Sequence, residues 1–133
     1  MDPNRLKAIP LFSDLSDEEA NRLAAFATET SAAEGQILMK QGDYAVELIA
    51  IEEGTADIIQ DGKKIASLGP GDLIGEMALF NREPRNADVI ATSPMRLLKL
   101  THWEIRRMSD ETIERIREVV DQRARAGVSD PGN

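Results

Sequence analysis

Between Gly71 and Thr92 the chain reads GDLIGEMALFNREPRNADVIAT, and within it Gly75, Glu76 and Arg85 are the residues whose types and spacing could do chemistry. Gly75 has no side chain and lets the backbone come close to a ligand. Met77, Ala78 and Leu79 then read as one short helical turn, whose free N–H groups face back toward that ligand and make a seat for an anion. Glu76, when ionised, only accepts hydrogen bonds, so it suits a sugar hydroxyl rather than a phosphate. Arg85, nine positions on and directly after Pro84, supplies the planar fork that fits two phosphate oxygens at once. Together they would grip a sugar phosphate. The plainer alternative is a mutual surface salt bridge between Glu76 and Arg85, worth about 0–1 kcal/mol.

Such residues need elements to hold them. Ser16 followed by Glu19 is a capping box, and Ala20, Leu23, Ala24 and Ala27 fall on one face, so residues 16–28 read as an amphipathic helix, with a short helix before it around Pro3 to Ile9. From Ala33 to Leu100 the texture changes. Short apolar runs at Ile37 to Met39, Glu47 to Ile51, Ala56 to Ile59, Val89 to Ala91 and Arg96 to Leu100 alternate with glycines, which indicates a compact all-β unit. Asp61-Gly62 is the clearest hairpin turn. Periodicity alone does not choose among a sandwich, a barrel and a jelly roll. Thr101 to Met108 reads as one helix and Asp110 to Ala126 as another, capped by Ser109, with Ile113, Ile116, Val119 and Val120 forming a narrow apolar stripe that needs a partner surface. The tail from Val128 to Asn133 reads as a frayed end.

At 133 residues the chain is one domain by size. With no cysteine there is neither a disulfide framework nor a thiolate zinc site. No apolar stretch approaches membrane-spanning length and no export signal is visible, so a soluble, cytoplasmic domain with no membrane contact is expected. A net charge of −8 with scattered basic residues argues against gripping nucleic acid by this chain alone. The same charge opposes an anionic ligand at long range, but screening sets in beyond about 8 Å at physiological salt. One arginine about 4 Å from a phosphate is worth on the order of 4 kcal/mol at an effective dielectric near 20, so local chemistry should win. His102 is the sole histidine; one imidazole cannot supply a metal set or a credible Ser/His/Asp site, and the chain is expected not to be an enzyme. Trp103 reads as packing between helices. Arg117, Arg123 and Arg125 read as a solvated face, and Asp88 as a solvated acid alternating outward on its strand.

The run Gly75, Glu76, Ala78, Leu79, Arg85, Asn86 and Ala87 resembles the phosphate-binding cassette of the cyclic nucleotide-binding domain family. Ile9 to Ala24 is similar to that family's opening helices, Glu34 to Asp43 to its early strands and Ile51 to Ile59 to its central hairpin, so the resemblance covers roughly residues 5–122. It implies a mainly β fold, an eight-stranded jelly roll with N-terminal helices and two C-terminal helices, spanning residues 1–127 ahead of a flexible tail at 128–133. It implies a regulatory sensor for cAMP or cGMP, with no cofactor. The phosphate would rest on the N–H groups near Ala78 and on Arg85, and the ribose hydroxyl on Glu76. The base would lie against walls that include Ile74 and Leu79, with Met77 in the same turn. Asn86 stands where many members place threonine, serine or alanine; its carboxamide both donates and accepts, which leaves cAMP against cGMP open, with a lean to cAMP. The resemblance also implies that the last helix moves over the base as a lid, acting on an effector domain or partner protein outside these residues. The alternative is a ligand-free interaction or dimerisation module, a homodimer among its forms.

Overall fold

The computed structural model describes residues 2–9, 12–13, 15–43, 47–74, 87–101, 110–111, 113–114 and 118. Helix α1 (Pro3–Lys7) starts on Asp2, whose carboxylate accepts from the Asn4 N–H at 2.8 Å, with proline where no N–H is needed. Beyond it, Ile9 donates to the Leu6 carbonyl, Phe12 to Ile9 and Leu15 to Phe12, at 3.1, 2.9 and 3.2 Å. These tight i→i−3 links bring every third residue to one side. Leu6, Ile9, Phe12 and Leu15 are accordingly all buried in one apolar cluster. Helix α2 (Asp17–Phe26) carries the full capping box between Ser16 and Glu19, and buries Ala20, Leu23 and Ala24, with Ala27 packed partly buried beside them.

The helix stops at Phe26, short of the expected residue 28, because Thr28 already belongs to β1 (Thr28–Ala32). That strand, TETSA, buries only Ala32, so it lacks the apolar alternation that would reveal it and exists by pairing. The remaining strands are β2 (Ile37–Met39), β3 (Glu47–Glu53), β4 (Ala56–Gln60), β5 (Lys63–Leu68), β6 (Leu73–Ile74), β7 (Asp88–Ala91) and β8 (Met95–Thr101). Thr101, expected to open a helix, is instead the last residue of β8 and pairs with Glu47. Two antiparallel sheets result, ordered β1-β8-β3-β6 and β2-β7-β4-β5, the strand order of a jelly roll. Asp61 and Gly62 both take positive φ, 51° and 81°, between the paired Gln60 and Lys63, the geometry a two-residue hairpin turn requires.

In the β1-β8-β3-β6 sheet, strands β8, β3 and β6 bury side chains on both faces. Along β3, Leu48 and Ala50 join the cluster under the two helices, while Ile49 and Ile51 join a second cluster between the sheets. Leu98 and Leu100 against Leu97 and Met95 on β8, and Leu73 against Ile74 on β6, divide the same way. The layers are therefore helices, sheet, sheet, and a strand buried on both sides reads as a continuous apolar run. The outer face of the β2-β7-β4-β5 sheet is wetter, with Ile37 and Ile65 about half exposed.

Arg5 ties the helical layer to the roll: its guanidinium takes both oxygens of Glu52 on β3, Nε to Oε2 at 2.9 Å, and also pairs with Glu29 on β1. The hydrogen bond to Glu52 holds the Arg5 proton more firmly than usual, outweighing desolvation, and the charges of Glu52 and Glu29 add to it. Lys7 pairs with Asp17 at the start of α2 and holds that carboxyl below its ordinary range. Near the C-terminus, Asp110, Glu111, Ile113, Glu114 and Glu118 are helical, inside the expected Asp110 to Ala126 helix. Beyond Thr101, the expected Thr101 to Met108 helix lies outside the described residues, as do the rest of the second helix, the tail, and His102, Trp103, Arg117, Arg123 and Arg125. Among the described residues, no helix is long and apolar enough to cross a membrane.

Candidate ligand site

The stretch 75–86 leaves one sheet and returns in the other. Ile74 ends β6, where it pairs with Ile49, and Ala87 immediately precedes β7, whose first residue pairs with Ile59 on β4. Ile74 and Ala87 are both 0% exposed and belong to the same inter-sheet cluster as Ile49, Ile51, Ile58 and Val89. Full burial of an isoleucine side chain is worth about 1.5–3 kcal/mol, so the strand that enters the stretch is held firmly at its last residue. Of the expected site residues, the structure brings Ile74 and Ala87 together in this wall. Gly75, Glu76, Met77, Ala78, Leu79, Arg85 and Asn86 lie outside the described residues.

Every fully buried side chain among the described residues is apolar. The frame therefore supplies a hydrophobic wall and no buried charge. The segment between Ile74 and Ala87 carries four charged residues, Glu76, Arg82, Glu83 and Arg85. Among the described residues, no group of three or more His, Cys, Asp or Glu side chains is placed to hold a metal ion.

Asp88 lies on the outward face of β7, as expected, but its carboxylate is engaged rather than simply solvated. It is half-buried, and its Oδ1 accepts from the backbone N–H of Gln41 at 2.6 Å. The Gln41 side chain in turn meets the hairpin tip, donating from Nε2 to Asp61 Oδ1 at 3.1 Å and accepting from the Asp61 N–H at 3.4 Å. Two strand connections, the one after β2 and the β4–β5 hairpin, are thereby linked to the first residue of β7. Gln41 and Asp88 are 47 positions apart, and nothing in the spacing of either residue signals the other.

A family model for the cyclic nucleotide-binding domain matches residues 29–112. The chain is 34% identical over 98 residues to a cAMP-dependent protein kinase regulatory subunit of Yarrowia lipolytica, a match covering 74% of this chain and 26% of that protein. Among solved structures, it is similar to the catabolite activator protein of Thermus thermophilus, with a TM-score of 0.78 and 25% identity over 89% of this chain and 59% of that one. It is also similar to a putative cyclic nucleotide-binding protein of Geobacter metallireducens, with a TM-score of 0.76 and 25% identity over 96% of each chain. The chain spans less than a third of the length of the curated relatives it matches.

Proposed function

Because this chain belongs to the cyclic nucleotide-binding domain family, we propose that it is a sensor that binds cAMP or cGMP and passes the binding event on through its C-terminal helix. One observation carries the reading. The segment bearing Gly75, Glu76 and Arg85 is tethered at Ile74 and Ala87 to a fully apolar wall between the two sheets. A purine nucleotide has matching halves, a flat apolar base for the wall and a charged phosphate for the arginine. In this reading Arg85 and the N–H groups around Ala78 take the cyclic phosphate, Glu76 takes the ribose 2′-hydroxyl, and Leu79 joins Ile74 against the base, with Met77 in the same turn. Ala87, with no exposed surface, leaves no room at its own position for a larger side chain. Asn86 faces the choice of base with a group that can donate or accept.

The domain itself transforms nothing in this reading. Its output is a population shift: the nucleotide biases the C-terminal helix only by its difference in affinity for the two positions of that helix. The receiving partner is an effector domain or a separate protein, and the similarity to a kinase regulatory subunit makes a kinase catalytic chain one candidate.

Calorimetric titration with cAMP, cGMP and AMP tests the proposal. One or both cyclic nucleotides should bind and raise the melting temperature, by about 2.7 kcal/mol of stabilisation at a hundredfold excess over Kd, while AMP should not. Arg85→Ala should cost at least tenfold in affinity. A silent titration together with a concentration-dependent dimer would assign the chain to assembly instead, and an unchanged Kd in Arg85→Ala would remove the assigned phosphate contact.

A further inference from the structure

The return strand β7 enters its sheet at an irregular place. On one side, the β2–β7 register slips between Ile37 and Met39, so Ile37 opposes Ile90 while Met39 opposes Val89. Across β4, the β4–β5 register slips between Ile58 and Ile59, leaving Ile65 extra. A bulge removes regular ladder bonds and bends its strand, and bulges gather where a neighbouring side chain has to be aimed. Beyond Met39 the ladder to β7 ends, and its next bond is made by a side chain: the Asp88 carboxylate accepts the Gln41 N–H at 2.6 Å. Gln41 is itself held by Asp61, a non-glycine residue at φ 51° in the hairpin turn.

We infer that Asp88 is a positioning residue for the nucleotide site: with Gln41 and Asp61 it forms a brace that fixes the point where the 75–86 segment rejoins the roll, and through it the reach of Arg85. The inference rests on the sensor reading given above. Arg85 stands three residues before Asp88, with Asn86 and the buried Ala87 between them. With only two residues between them in sequence, the start of β7 would set the point from which the arginine reaches. Placement matters because a bidentate arginine contact is lost by small displacements. The brace uses a carboxylate as a surrogate ladder acceptor, so any side chain offering an oxygen at the same position should serve, whereas alanine should not.

Two measurements on the full chain decide it. In hydrogen exchange without ligand, Asp88→Ala should raise exchange of the Gln41 amide and of the 85–89 amides at least tenfold, while Asp88→Asn should stay close to wild type. In calorimetry with cAMP, Asp88→Ala should weaken binding about five- to tenfold and Asp88→Asn less than twofold. In an Arg85→Ala background, Asp88→Ala should add nothing further, because its effect runs through the arginine. Exchange confined to wild-type rates in Asp88→Ala, or an affinity loss that simply adds to that of Arg85→Ala, overturns the inference. A wild-type chain that binds neither cyclic nucleotide would instead defeat the sensor reading, and the exchange experiment would still show whether the brace holds the strand.

Discussion

Glu76 and Arg85 are complementary in what they can recognise. A carboxylate is repelled by a phosphate and binds neutral hydroxyls, whereas a guanidinium gains most from a pair of anionic oxygens. Their contributions should therefore separate by ligand. Glu76→Ala should weaken binding of cAMP while leaving the affinity of its 2′-deoxy analogue nearly unaltered, since that analogue lacks the hydroxyl that Glu76 would accept from. Because a hydrogen bond to a charged group contributes about 1.5–3 kcal/mol, the loss for cAMP should be roughly tenfold or more. Calorimetry with both ligands checks this, and equal losses for the two would remove Glu76 from the ribose. Among the described side chains the polar contacts are structural in character: Arg5 gathers Glu29 and Glu52 beneath the first helix, and Asp88 holds Gln41.

At the level of elements, the far end of the roll depends on one glycine. Gly54 lies between β3 and β4 with φ 96°, and a Cβ there would sit 2.5 Å from the Pro94 carbonyl oxygen and 2.9 Å from the Met95 Cα. The two turns are laced together: Thr92 donates its N–H to the Thr55 carbonyl at 2.9 Å, the Thr55 N–H donates to Ser93 Oγ at 3.0 Å, and the two threonine hydroxyls meet at 2.7 Å. Gly54→Ala should therefore cost backbone strain of about 1–3 kcal/mol and a further clash of about 1–3 kcal/mol. Gly62→Ala, also at positive φ but with nothing within 4 Å, should cost the strain alone. Denaturant unfolding of both variants checks this, and similar losses would mean that the turns separate to admit the methyl group. The elements differ in how plainly the sequence announces them. The capping box at Ser16, the Asp61-Gly62 turn and the apolar runs of β3, β4, β7 and β8 carry their own local signals and are found where they were expected. The strand β1 and the two-residue β6 have no such pattern and exist because β8 and β3 offer them partners. The Gln41–Asp88 bond belongs to the same class, since it depends on tertiary placement of residues distant in sequence. Glycine, glutamate and arginine in the 75–86 stretch are singled out by residue chemistry and spacing alone, and the convergence proposed for them lies in a segment outside the described residues.

For the molecule as a whole, the question is how a chain of net charge −8 would admit the anion proposed for it. Two length scales are in competition. At about 0.01 M salt the Debye length is about 30 Å, so an approaching nucleotide feels the summed charge of the entire domain; at about 0.15 M it is about 8 Å and only the groups lining its path count. Since the global field repels a phosphate and the local arginine attracts it, salt should remove the repulsion first. Association of cAMP should therefore become severalfold faster between about 0.01 and 0.15 M salt. Dissociation, governed by contacts made at a few ångströms against an apolar wall, should change little over the same range. Stopped-flow kinetics with a fluorescent cyclic nucleotide separates the two rates. If association instead slows as salt is added, the field at the mouth of the site is positive at long range. The domain would then steer its ligand in spite of its net charge, with the arginines at 82 and 85 extending their influence beyond the first contact.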